Sequence, residues 1–224
     1  MARASLVALA LAVALVGCVL ALRGGTERAV VTAAASTRWP AESPEDWVTF
    51  ADQISTLTVV AERQLPIDER ARRVGEGPVG REVTAVVRST LWAHDPTRVV
   101  RGPIRFKTWG WVLRDRELIP VVPYGEVRLR VGDEVVAPLM RTPEGEFGPV
   151  APHAVLHLVD GRIRLEDEQA RAYPGLRELD LRSLREIAAR LAALEVDPRL
   201  RELDPDARAD AVRSQRPRMG SANG

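Results

Sequence analysis

The sequence predicts a mainly β domain: a small antiparallel β-barrel of OB-like size or, as second choice, a sandwich. A short N-terminal helix and a C-terminal docking helix flank it, and one transmembrane or signal-anchor helix precedes it. Three observations carry this expectation. Apolar and polar residues alternate with a period of two through much of the chain from Ile54 to Leu165. Two dipeptides suited to tight turns, Gly132-Asp133 and Asp160-Gly161, interrupt that alternation. Ahead of it all, the stretch between Arg3 and Arg23 carries no charge, with Leu6 to Leu22 uniformly apolar.

The expected layout follows from these: a signal anchor over 1–23, a tether over 24–42, a β-rich domain over 43–166, a helical C-terminal region over 167–212 and a disordered tail over 213–224. As a helix the charge-free run reaches roughly 28 Å, close to the ~30 Å of a bilayer's hydrocarbon core. Leu15-Val16-Gly17-Cys18 resembles the lipobox of bacterial lipoproteins, which makes Cys18 a lipidation candidate. The apolar run continues through Val19 to Leu22, however, where a lipoprotein turns polar, so the expectation is an uncleaved span. Lipidation at Cys18 and cleavage near Ala33-Ala34-Ala35 are the alternatives. The small-residue stretch from Gly24 to Pro44 reads as a tether that holds an extracytoplasmic domain off the membrane.

Ser43-Pro44-Glu45-Asp46 is a cap-then-proline start, with Trp47, Phe50, Ala51 and Ile54 at helical spacing, and predicts a helix over about 44–52. Strands are expected at Ile54–Leu65, Arg81–Trp92 and Pro103–Leu113. Pro66 to Gly80, polar and Gly-rich, reads as a mobile loop between the first two. Glu126–Met140 reads as two strands broken at Gly132-Asp133, and Ala154–Leu165 as two more around Asp160-Gly161. Asp180 is placed to cap a helix with one apolar stripe, Leu181, Leu184, Ile187, Ala188, Leu191 and Leu194. Asp204-Pro205-Asp206 starts another.

The 32 basic and 31 acidic residues leave no net field to attract a polyanion, which together with export argues against nucleic acid as a partner. One cysteine excludes an intramolecular disulfide and a Cys-based zinc site. The chain has no P-loop, nucleophile elbow or dinucleotide fingerprint, and no cofactor is expected. Of the three histidines, His153 and His157 lie in a segment read as strand, about 13 Å apart, too far to share a metal. His94-Asp95 reads as a turn in which the carboxylate bonds nearby backbone.

Trp109 and Trp111 alternate along a strand and should share a face, either as a stacking platform or as filling for the barrel. Arg105, Lys107, Arg128, Arg130, Arg162 and Arg164 point outward from three expected strands and would form a basic face if those strands were neighbours. The reading that follows is a membrane-tethered extracytoplasmic module with a non-enzymatic binding or structural role, its partners the membrane and an envelope protein or wall component. The alternative is an extracytoplasmic hydrolase in which folding brings His94, Asp95 and His153 together.

Overall fold

A computed structural model describes residues 31–33, 39–142, 145–196, 198–201, 203, 207–208 and 210–212. The expected anchor and its Cys18, the Asp204-Pro205-Asp206 helix start and the C-terminal tail lie outside the described residues. Among the described residues no helix is long and apolar enough to cross a membrane.

Helix α1, Pro44–Phe50, forms as its cap predicts: Ser43 Oγ accepts from Asp46 N at 3.1 Å and proline takes the first turn. Trp47 and Phe50 are fully buried, and the Trp47 indole N–H donates to Ala41 O at 3.1 Å. From there nine strands build a mainly antiparallel sheet. They are β1 Val31–Ala33, β2 Gln53–Gln64, β3 Gly77–Ala93, β4 Gly102–Arg114, β5 Glu117–Pro123, β6 Glu134–Arg141, β7 Phe147–Pro149, β8 Leu156–Val159 and β9 Arg162–Arg164. Their order is β1-β5-β4-β3-β2-β6-β8-β9, with β7 beside β6, and β1 pairs with β5 in parallel. Strands β2 to β5 are a meander, and β6 then returns to the free side of β2.

The sheet curls into a half-barrel. Bulges in the β2–β3 ladder, between Ile54 and Ser55, Thr56 and Leu57, and Val59 and Ala61, supply local bend and twist. The curl carries β7 round to β4, where a Cβ at Gly148 would lie 3.3 Å from Phe106 Cβ. Two apolar clusters result. One lines the concave side with Leu57, Val59, Val83, Ala85, Ile104, Val135, Ala137 and Leu139. The other joins α1 and the C-terminal helices to Ile54, Val136, Met140, Leu156 and Ile163. Strand β6 feeds both, so every residue from Val135 to Met140 is buried and its sequence is a continuous apolar run.

Several expectations are corrected. Within the stretch read as a tether, Val31–Ala33 is an edge strand, Ala41 is fully buried and Trp39 packs on the helical cluster. The loop expected from Pro66 to Gly80 contains helix α2, Glu69–Val74, because the Asp68 carboxylate accepts from Arg70 N and Ala71 N. Strand β5 went unread because Pro120 and Pro123 mask it, and prolines are tolerated there beside a short edge strand. Glu126–Arg130 is not a strand: it runs irregularly into a turn pinned to β2 by Val59 N to Asp133 O and Gly132 N to Val59 O, both 2.9 Å.

The Asp160-Gly161 hairpin forms as expected, both residues at positive φ of 52° and 71°. After helix α3, Asp167–Ala172, and a 3-10 segment at Pro174–Leu179 comes α4, Leu184–Ala192. Its cap is Ser183 in a reciprocal box with Glu186, not Asp180, whose carboxylate instead accepts from Leu165 N at 3.1 Å. Ile187 and Leu191 are buried as the stripe requires, whereas Leu181, outside the helix, is 48% exposed. Helix α5, Pro198–Arg201, follows.

The double burial of β6 sets an expected outcome. Leu139→Ala should lower unfolding free energy by about 2 to 5 kcal/mol, while Val131→Ala on the exposed turn should stay within about 0.5 kcal/mol of wild type in a urea titration.

Candidate functional site

Strand β4 has one residue more than its partner: Trp111 faces Val79 and Trp109 faces Gly80, leaving Gly110 between them. Val79 and Gly80 are consecutive, so their partners fall on opposite faces of the sheet. Trp109 is 39% exposed on the outer face. Trp111 belongs to the inner face, with the Arg128 guanidinium 5.0 Å from its ring centroid. The expected shared Trp face is therefore corrected by a bulge. Glycine is required at its apex, since a Cβ on residue 110 would sit 2.7 Å from Val79 O.

The bulge is held from inside by arginines. Arg81, at an inward position of β3 and 2% exposed, donates Nε to Trp109 O at 2.9 Å and Nη1 to Leu129 O at 2.7 Å. The same Nη1 meets Glu62 Oε2 of β2 at 2.6 Å. Arg128 Nη1 donates to Gly110 O at 2.7 Å. Burial and the neighbouring Arg81 charge both hold the Arg128 guanidinium below its ordinary pKa, with Glu62 opposing. These bonds fix the irregular 126–130 segment across the inner end of β3 and β4.

Between that segment, β4 and the chain leaving β7 lies a cavity of about 250 Å³. It occupies the seam where the curled sheet brings β7 toward β4. Its walls are largely apolar, with Trp39, Phe106, Val127, Leu129, Val150 and Val155 among them, and Thr108, Arg81 and Glu126 also line it. Arg81 is neutralised by Glu62. Glu126 is different: among the described residues no hydrogen bond or ion pair reaches its carboxyl. Desolvation pushes it up to about 7.

The other expected site residues do not converge. Arg105 and Lys107 are exposed on the outer face of β4, Lys107 opposite Glu82. Arg128 is turned inward onto Trp111, Arg130 lies on the turn before β6, and Arg162 and Arg164 are on β9, with four strands between it and β4. One basic face is thus ruled out by strand order. His157 is half-buried with Asp133 3.8 Å away. His153 is 1% exposed in a 3-10 turn, stacked on Tyr173 at a 3.9 Å centroid distance, and burial pushes it down to about 4. Buried Gln169 secures its backbone by donating to His153 O at 2.7 Å. Asp95 caps the turn after β3 by accepting from Thr97 N and Oγ1, which holds its carboxyl below the usual range. Among the described residues no three of His, Cys, Asp and Glu gather as a metal site would require.

Sequence reasoning missed Arg81 and Glu126. The first was detectable: a strand with Val83, Ala85 and Val87 facing inward puts Arg81 on the same face, and a lone arginine in an apolar register needs buried acceptors. The second was not, since Glu126 was assigned to a strand that does not form. In comparisons with known proteins, the chain matched no family model, no curated protein and no solved structure.

The two shifted groups make opposite contributions to stability. Glu126, raised from 4.5 to about 7, favours folding when protonated, so its contribution is full below pH 4.5 and fades as pH rises through 7. His153, lowered from 6.5 to about 4, favours folding when neutral, and its contribution fades as pH falls from 6.5 through 4. Denaturant titrations across pH should show Glu126→Gln removing the loss on the rising side and His153→Phe removing the loss on the acid side.

Proposed function

We propose that the protein is a membrane-tethered extracytoplasmic module with a non-enzymatic binding role in the cell envelope, and that the seam cavity is its binding site. The observation that carries this reading is the cavity itself: largely apolar walls around one desolvated carboxyl that no described residue partners, the composition of a ligand pocket. The path of β2, β3 and β4, with β6 returning beside β2 and β7 folding back toward β4, supports an OB-like barrel rather than a sandwich. The charge-free run before Arg23 supports the anchor.

A binding role fits better than hydrolysis. His153 is sealed at 1% exposure, and Asp95 is committed to its cap. Acid–base catalysis needs a group that reaches a substrate proton.

Two measurements test the proposal. Alkaline phosphatase fused to the C-terminus should be active in cells; an inactive enzyme beside a glowing fluorescent-protein fusion would overturn the topology. In calorimetry on the full-length protein, hexanol should bind the wild type, and Val127→Trp, which fills the cavity, should abolish that binding. Equal binding by both would overturn the cavity as the site.

A further inference from the structure

The cavity's charge balance narrows what it takes. Lys107 lines the cavity's edge, but alternation along β4 puts its side chain on the outer face opposite Glu82. Arg81 is cancelled by Glu62 at 2.6 Å, and its Nε and Nη1 are spent on Trp109 O and Leu129 O. That leaves Glu126 as the uncompensated charge among the described lining residues, in a wall that otherwise offers the Trp39 and Phe106 rings, aliphatic carbon and the neutral Thr108. Tyr173, whose phenol is raised by burial and then by the Glu126 and Glu42 charges, adds no cation.

Resting on the binding reading above, we infer that the seam cavity binds an organic ammonium: a short alkyl chain in the apolar space, its cationic head against the Glu126 carboxylate and within reach of the Trp39 and Phe106 faces. A carboxylate removed from water gains most from a cation brought to it, and aromatic faces add attraction for the same charge. An anionic ligand would meet Glu126 with like charge. A neutral one would offer the carboxylate at most a hydrogen bond without the opposite charge, which is the weaker pairing. Size sets the chain length. At about 250 Å³ the cavity falls below the ~300 to 1,000 Å³ that drug-sized ligands occupy, so one short chain suits it.

Three probes of equal length separate the possibilities in calorimetry on the full-length protein at about pH 8, where a raised carboxyl is ionised. Hexylammonium should bind roughly tenfold more tightly than hexanol, and hexanoate more weakly than either. Glu126→Gln should erase the preference for hexylammonium while leaving hexanol affinity within about twofold of wild type, which also reports that the variant is folded. Hexanol binding as tightly as hexylammonium in the wild type, or a preference that survives in Glu126→Gln, would overturn the inference while leaving the cavity as a binding site. Hexanoate binding tightest would overturn it in favour of an anion site. Absence of binding by any probe would overturn the cavity reading and this inference together.

Discussion

Burying the Arg81 guanidinium to 2% exposure obliges the chain to bring acceptors to it, and much of the architecture around the cavity follows from that demand. An arginine cannot shed its charge, and moving one out of water costs several kcal/mol even after relaxation. Charge-assisted hydrogen bonds return about 1.5 to 3 kcal/mol each, so one partner is not enough. The chain supplies Trp109 O from a bulge, Leu129 O from an irregular segment and the Glu62 carboxylate from the neighbouring strand. The bulge at Gly110 frees a carbonyl from the ladder, and the 126–130 segment is left without strand pairing because its carbonyl serves a side chain instead.

That arrangement explains why the half-barrel has a cavity at its seam. Strand β6 presents one face to the concave cluster and the other to the helices, so the sheet is anchored firmly on that side. On the far side, β5 pairs with β4 only from Trp111 to Arg114, and the stretch of β4 before it faces β7 across the seam. Residues 126–130 roof that gap under the hold of Arg81 and Arg128. Glu126 stands at the start of the roof, half-buried, where among the described residues no hydrogen-bond donor or cation meets its carboxyl.

Much of this was legible in the sequence. The alternation of Val83, Ala85 and Val87 gave β3, Ser43-Pro44 gave α1, and Asp160-Gly161 gave the last hairpin, because each signal is local. Local signals failed where a distant partner decided. Gly110 inside a strand admits a bulge, but nothing local announces the partner that holds it, Arg81 across the ladder. The stretch Glu126–Arg130 has the period of a strand, yet its side chains and carbonyls are recruited one by one to Arg81, Gly110 and the turn at Asp133. The same non-locality separated the expected basic residues: Arg105 and Arg164 look alike in sequence and lie on strands with four others between them. The candidate site was hidden for this reason, being assembled from separate segments between Trp39 and Val155.

The central claim is that Arg81 holds the roof of the cavity, and amide hydrogen exchange on full-length Arg81→Met measures it directly. Methionine keeps the apolar reach of the side chain and removes its donors. The account predicts faster exchange at Glu126–Arg130 and around Gly110, with β6 from Val135 to Met140 as protected as in wild type. Unchanged protection at Glu126–Arg130, or a uniform loss that includes β6, would contradict it.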